Sequence, residues 1–222
     1  MITLSDVTKK RGNNRPPNTG FTSDVIPKAN GSNTGVSVRY EYSPNKDWFV
    51  LRVSYGRVNK AKDILESNNI DYYLPLHYTI KIINSKKKRI IEPLIPNLLF
   101  VYAEEEKLKQ MMLAKTSVGL LSYYFNHFER DKYGKNPPLT VNYYKMEQFI
   151  NLTSIMNEHI KLVDNKDCNY KHGDCVRVTD GEFKGIEGRV ARVSGQQRVI
   201  VEIKGLCFVA TAYIPTPFIE RI

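Results

Sequence analysis

Three cysteines and one histidine are spaced in a way that could bind a metal ion. Cys168, His172 and Cys175 lie close together, and Cys207 could return from a later strand as a fourth ligand. Thiolate sulfur and imidazole nitrogen are the usual ligands of structural zinc. However, the paired C-x-x-C spacing of many zinc sites is missing, and Cys175 belongs to a strand pattern. We therefore expect reduced thiols and no metal or other cofactor.

The remaining residues offer no arrangement typical of an enzyme. The four histidines and the scattered acids show no nucleophile with a base at motif spacing, no phosphate loop and no paired metal carboxylates. No stretch approaches the ~20 apolar residues of a membrane span, and the N-terminal residues lack the apolar core of a secretory signal. We expect a non-enzymatic, cytoplasmic protein with no membrane partner.

Positive charge is concentrated in the middle of the chain. Of the formal net charge of +10, residues 48–150 carry +6, whereas residues 151–222 carry only +1. The densest run is Lys86-Lys87-Lys88-Arg89, at an expected hairpin tip. Clustered cations can bind a phosphate backbone, but a charge run can also be a solvated tip. Both interpretations stay open at this point.

The elements that must position these residues fall into two groups. In residues 173–190, Val176 and Val178 alternate as in a half-buried strand, glycine-containing turns flank Phe183, and Gly188 allows a close strand approach. This pattern predicts strand, loop, strand; a glycine-rich hairpin of no special function is the alternative. Upstream, the periodicity predicts strands and helices in alternation, beginning with a strand at Trp48.

These patterns resemble the NusG family of transcription elongation factors. The resemblance rests on the opening Trp-Phe-Val-Leu, on Pro-Asn-Leu-Leu-Phe-Val at 96–101, and on a KOW-like motif at 173–190. It covers residues 48–222 and looks closest to the specialised RfaH- and UpxY-type antiterminators of capsular polysaccharide operons. Asn97 stands where the general factor usually has glycine, and asparagine is the next residue most tolerant of left-handed backbone.

The resemblance implies an α+β fold in two domains. The first is an N-terminal α/β sandwich with a mainly antiparallel sheet, the NGN-like domain, at 46–157. The second is a small SH3-like β-barrel, the KOW domain, at 171–222. Composition adds a disordered basic leader at 1–45 and a polar linker at 158–170.

The resemblance also implies that the chain binds RNA polymerase and promotes antitermination. Family members bind the polymerase clamp helices through an apolar depression. The matching positions are Trp48, Val50, Leu98, Phe100 and Leu121. The alternative that all five are core residues stays open, because a sheet alternates its faces and the sequence does not orient them.

Specialised members further touch the non-template DNA strand, and the nascent transcript is the alternative nucleic-acid partner. The positions that match or suit such contacts are Tyr55, Arg57, Lys60, Lys86, Lys87, Lys88, Arg89 and Lys115. Cations suit the backbone, and Tyr55 or His77 could stack on an unpaired base.

In the family, the KOW domain recruits a small-subunit ribosomal protein or the termination factor Rho. The matching residues are Arg177, Phe183, Lys184 and Ile186. Phe183 could instead fill the barrel interior, where large aromatic side chains are mostly found. The competing hypothesis is a ribosome-associated, RNA-binding KOW protein, which would leave residues 48–149 without a role.

Overall fold

The computed structural model describes residues 41–155, 157–164, 166, 168 and 174–222. The N-terminal unit comprises β1 (Asp47–Val53), α1 (Val58–Ser67), β2 (Asp71–Tyr73), β3 (Leu76–Ile83), β4 (Lys86–Pro93), β5 (Leu98–Ala103), α2 (Glu105–Leu113), β6 (Leu121–Tyr123), β7 (Thr140–Val141) and α3 (Tyr143–Ser154). The C-terminal unit comprises β8 (Lys161–Val163), β9 (Cys175–Val178), β10 (Glu187–Val193), β11 (Gln196–Ile203), β12 (Cys207–Ala210) and β13 (Ile219–Arg221). Residues 1–40 of the predicted leader lie outside the described part of the chain.

The sheet of the N-terminal unit is built around β1. Its strand order is β2-β5-β1-β6, with β7 also paired to β1, and all these pairs are antiparallel. The C-terminal unit has a six-stranded antiparallel sheet in the order β13-β9-β10-β11-β12-β8. The predicted α+β fold with mainly antiparallel sheets is confirmed.

Helices cover both faces of the N-terminal sheet, because β1 is apolar on both. Phe49 and Leu51 pack with residues of α1 and α2 in one cluster. Trp48 and Val50 belong to the opposite cluster, in which the ring centroids of Phe100 and of Phe149 on α3 are 5.1 Å apart. Within the described residues, no helix is long and apolar enough to cross a membrane.

Strands β3 and β4 form a separate two-stranded hairpin. Its turn consists of Asn84 and Ser85, which both have positive φ angles, of 51° and 59°. The four cations at 86–89 therefore lie along the first half of β4 and not at the tip as expected. Because neighbouring residues of a strand point to opposite faces, these four charges are divided between the two faces of the hairpin.

Two backbone predictions from the sequence are confirmed. Asn97 has a φ of 58°, in the left-handed region that glycine usually occupies. At Gly188, a Cβ atom would lie 2.3 Å from the carbonyl oxygen of Ile200 and 2.8 Å from the side chain of Val199. Strand β10 therefore approaches β11 at a distance that excludes any side chain at this position.

One segment differs from its predicted state. Residues 161–163, which composition placed in a linker, form β8 and pair with β12, with Leu162 opposite Val209. A three-residue strand carries too little periodicity to be recognised in a sequence, and its partner strand supplies the pairing. The edge of the C-terminal sheet thus begins within the expected linker.

The C-terminal unit rests on α3. The backbone N–H of Glu187 donates a hydrogen bond of 2.8 Å to Oε1 of Gln148 on α3. Nδ2 of Asn157 donates one of 2.7 Å to Oε2 of Glu182. Phe149 and Phe183 belong to the same hydrophobic cluster. Helix α3 therefore packs against both units.

Replacement of Gly188 by alanine should destabilise the C-terminal unit by roughly 1–3 kcal/mol, because the methyl group would force the backbone of Ile200 to move. Urea unfolding monitored by circular dichroism measures this effect. The neighbouring exposed Arg189→Ala is the control, with an expected change within about 0.5 kcal/mol. Equal stability of Gly188→Ala and the natural chain would contradict the observed strand spacing.

Candidate partner and nucleic-acid surfaces

Four of the five positions expected to contact polymerase are core residues in this structure. Trp48, Val50 and Phe100 are at most 1% exposed beneath α3, and Leu121 is buried in the cluster on the opposite face. Their burial agrees with the alternative that the sequence left open. Only Leu98 is partly exposed. The apolar character of these positions is therefore explained mainly by packing.

The burial of the two tyrosines beside Trp48 reinforces this conclusion. Tyr102 stacks on Trp48 with ring centroids 5.0 Å apart, and Tyr143 of α3 lies 5.8 Å from Tyr102. Burial raises the pKa of Tyr102, and raises that of Tyr143 to about 12. The raised pKa values reflect the apolar surroundings of the two phenols on this part of the sheet.

Leu98 lies on the same face of the sheet as Trp48 and Val50, at the end that α3 does not cover. It is paired with Arg52, which is in turn paired with Ser122, and both of these residues are exposed. The guanidinium carbon of Arg52 lies 4.8 Å from the ring centroid of the half-buried Tyr124. We call these four residues the open end of the sheet. Sequence reasoning missed all but Leu98, although the alternation along β1 places Arg52 on the face of Trp48 and Val50.

An open cleft lies between the start of α1, the base of the β3–β4 hairpin and the turn at residues 96–97. Its volume of about 1170 Å³ exceeds the roughly 300–1,000 Å³ of a typical small-molecule pocket. The ionisable side chains that line the cleft are those of Tyr55, Lys62, His77, Lys81, Arg89 and Glu92. The cleft brings together three expected residues, Tyr55, His77 and Arg89, and adds two lysines that the sequence did not single out.

The cleft combines an exposed aromatic ring with excess positive charge. Tyr55 is 90% exposed, so its ring faces remain accessible. Glu92 is the one acid that lines the cleft among the residues the structure describes; it forms an ion pair with Lys81 and lies 3.9 Å from Nε2 of His77. Lys62 and Arg89 add further positive charge. Such a surface attracts a polyanion and offers its bases a stacking partner.

Arg57, Lys60 and Lys115 lie on adjoining segments beside Tyr55. Two hydrogen bonds join the loop before α1 to the loop after α2. The backbone N–H of Ser54 donates a hydrogen bond of 2.9 Å to the carbonyl oxygen of Leu120, and the Ser54 hydroxyl donates one to the carbonyl oxygen of Gly119. All three cations are exposed. The two hydrogen bonds therefore bring the loop before α1 next to the loop that follows α2.

The four residues expected to bind a partner through the C-terminal unit divide into two pairs. Phe183 and Ile186 are 4% and 2% exposed, which agrees with the interior position considered for Phe183. Lys184 is exposed. Arg177 is held by Glu187 at 2.7 Å and by Glu220 at 3.3 Å. Only the two cations are accessible in this arrangement.

The cysteines do not meet at a common site. Cys168 is buried, whereas Cys175 is exposed on β9 and Cys207 lies on β12. Burial raises the pKa of the Cys207 thiol to about 12. Within the described part of the chain, no group of three or more His, Cys, Asp or Glu side chains could hold a metal ion. His172 lies outside that part.

The geometry thus defines an α/β sandwich with an open sheet end and a cationic cleft, followed by a small β-rich unit. The family model described as "Transcription termination factor nusG" matches residues 46–150. The NusG proteins of Streptococcus pyogenes serotypes M1 and M18 (strain MGAS8232) are described as transcription termination/antitermination proteins. Each is 26% identical over 162 residues, which cover 69% of this chain and 84% of the relative. The N-terminal unit is therefore similar to NusG proteins over residues 46–150.

A solved structure described as "Domain interaction in Thermotoga maritima NusG" is also similar. The two sequences are 17% identical, the TM-score is 0.36, and the match covers 80% of this chain and 97% of the Thermotoga maritima chain.

The burial of Cys207 predicts selective alkylation. At pH 8, iodoacetamide should modify the exposed Cys175 at least tenfold faster than Cys207, because only about 1 in 10⁴ of thiols with a pKa near 12 is ionised. Peptide mass spectrometry over a time course measures both rates. Unfolding in urea is the control and should equalise them. Equal rates in the folded protein would contradict the placement of Cys207.

Proposed function

We propose that this chain is a specialised NusG-like elongation factor that binds RNA polymerase and promotes antitermination. The observation that carries the proposal is the NusG family match at residues 46–150, on the unit that bears both the open end of the sheet and the cationic cleft. The N-terminal unit anchors the factor on polymerase, and the C-terminal unit engages a second partner.

The polymerase contact is assigned to the open end of the sheet. Leu98 is the accessible apolar residue there, and Arg52 and Tyr124 flank it. Arginine and tyrosine are enriched at protein interfaces because they combine apolar area with polar groups. The clamp helices of polymerase are the partner that the family resemblance suggests. Trp48, Val50 and Phe100 support this surface from within the core, whereas Leu121 lies in the cluster on the opposite face of the sheet.

Nucleic acid in the elongation complex is assigned to the cleft and the neighbouring cations. Tyr55 stacks on an unpaired base of the non-template strand or the transcript, and Arg57, Lys60 and Lys115 bind phosphates. The cations at 86–89 extend this surface along the hairpin. Phosphate contacts position the factor but do not read sequence. The net charge of +6 on residues 48–150 supports this assignment.

The second partner is a small-subunit ribosomal protein or Rho. Lys184 and Arg177 are the accessible members of the residue set considered for it. The near-neutral charge of residues 151–222 favours a protein partner over RNA. A ribosome-associated RNA-binding protein is less favoured, because that function would not require the NusG domain at 46–150.

The proposed targets are particular operons, such as those for capsular polysaccharides. Support comes from the Pro-Asn-x-Leu-Phe-Val form at residues 96–101, which resembles that of specialised family members. Asn97 maintains the left-handed backbone of this turn at the edge of the cleft.

Replacement of Leu98 by aspartate should weaken binding to RNA polymerase elongation complexes about tenfold or more, because a carboxylate would need to be desolvated at the interface. Pull-down of purified complexes by the full chain measures the loss. Leu113→Asp is the matched control, since Leu113 is 80% exposed at the end of α2. Equal losses for both variants, or no loss for Leu98→Asp with its fold intact, would argue against the assigned surface.

Replacement of Tyr55 by alanine should weaken binding of a single-stranded oligonucleotide roughly 5- to 100-fold, in line with about 1–3 kcal/mol per stacked base. Fluorescence anisotropy at low salt measures the affinity. Tyr213→Ala is the control, because Tyr213 is also exposed but lies in the C-terminal unit. If the two variants bind equally well, the cleft does not hold a base.

A further inference from the structure

The β3–β4 hairpin has one face that mixes exposed isoleucines with cations. Its register pairs Ile80 with Arg89 and Ile82 with Lys87, and directly paired residues share a face. The same alternation adds Tyr78 and Ile91, which are paired with one another. We call this set of six residues the ribbon face. The opposite face carries Lys81, Ile83, Lys86 and Lys88, among others.

The isoleucines of the ribbon face are unusually accessible. Ile80 is 64% exposed, Ile82 is 74% exposed and Ile91 is 45% exposed. Isolated exposed apolar residues need no explanation, but a contiguous set along a projecting element indicates an interaction surface. The hairpin forms its own two-stranded sheet, and no other strand of the described residues pairs with it.

The charges around these isoleucines identify the class of partner. Residues 76–93 contain five cations and a single acid, Glu92. Glu92 lies at the base of the hairpin and pairs with Lys81, so the outer half of the hairpin itself carries cations and no acid. Arg89 also lies over the ring of Tyr78, with its guanidinium carbon 3.7 Å from the ring centroid. A surface that combines apolar side chains with cations fits a nucleic-acid duplex, whose stacked base faces are apolar and whose rims are phosphates.

We propose that the ribbon face is a wedge for duplex DNA at a junction with unpaired strands. Ile80 and Ile82 enter the minor groove and partly unstack a base step, while Lys87 and Arg89 bind the flanking phosphates. Apolar side chains that unstack base steps in this way are common in proteins that bind the minor groove. Eight residues per strand give a reach of roughly 26 Å, enough to extend beyond the cleft. This inference rests on the proposed function, because transcription supplies the junction.

The test uses the full chain and a forked DNA that carries 2-aminopurine in the last base pair before the fork. Binding should raise the 2-aminopurine fluorescence, since unstacking relieves its quenching. The double variant Ile80→Ser/Ile82→Ser should lose most of this rise and bind the fork about tenfold more weakly, because two apolar contacts are removed. Ile83→Ser is the matched control on the opposite face and should behave like the natural chain.

The cations provide a second readout. The variant Lys87→Gln/Arg89→Gln should lower the slope of log affinity against log salt by about 2, the value for two lost phosphate contacts. The isoleucine variant should leave that slope unchanged. The wedge is overturned if the natural chain produces no fluorescence rise, or if Ile80→Ser/Ile82→Ser retains it.

Polymerase binding separates this inference from the proposed function. Ile80→Ser/Ile82→Ser should bind polymerase without nucleic acid as tightly as the natural chain does. Loss of that binding would show that the ribbon face contacts protein, which overturns the wedge and leaves the NusG-like function in place. Polymerase binding by neither protein would instead refute the proposed function.

Discussion

The double burial of β1 determines where a partner can reach the N-terminal unit. Phe49 and Leu51 fill one core, while Trp48 and Val50 fill the other, so neither face of this strand is available along most of its length. Burial of large apolar side chains stabilises a fold by about 1.5–3 kcal/mol each. Exposing these side chains to a partner would remove that contribution to the free energy of folding. The accessible surface is consequently displaced to the end of the strand, at Arg52.

Helix α3, which covers Trp48 and Val50, also packs against the C-terminal unit. Phe149 packs against Phe100 on one side and belongs to a cluster that continues to Phe183. Gln148 accepts a hydrogen bond from the backbone of the adjacent strand β10. One helix therefore supports both cores, and it leaves the open end of the sheet, the cleft and the hairpin accessible.

The sequence predicted backbone features better than surfaces. Gly188 and Asn97 each require a particular local geometry, and each is recognisable from residue type. The orientation of β1 was not predictable, because both of its faces are apolar and only tertiary packing decides which one α3 covers. Tyr55, His77 and Arg89 were identified singly, but their common cleft depends on long-range packing. The ribbon face required the register of β3 and β4, since the charge run alone does not show which side chains accompany it.

Site-specific photocrosslinking can measure whether the open end of the sheet contacts RNA polymerase. A photoreactive phenylalanine analogue at position 98 of the full chain should crosslink to the polymerase clamp in an elongation complex. The same analogue at position 113 should not. Crosslinks from position 98 that map only to ribosomal proteins or RNA, or equal clamp crosslinks from both positions, would contradict the account.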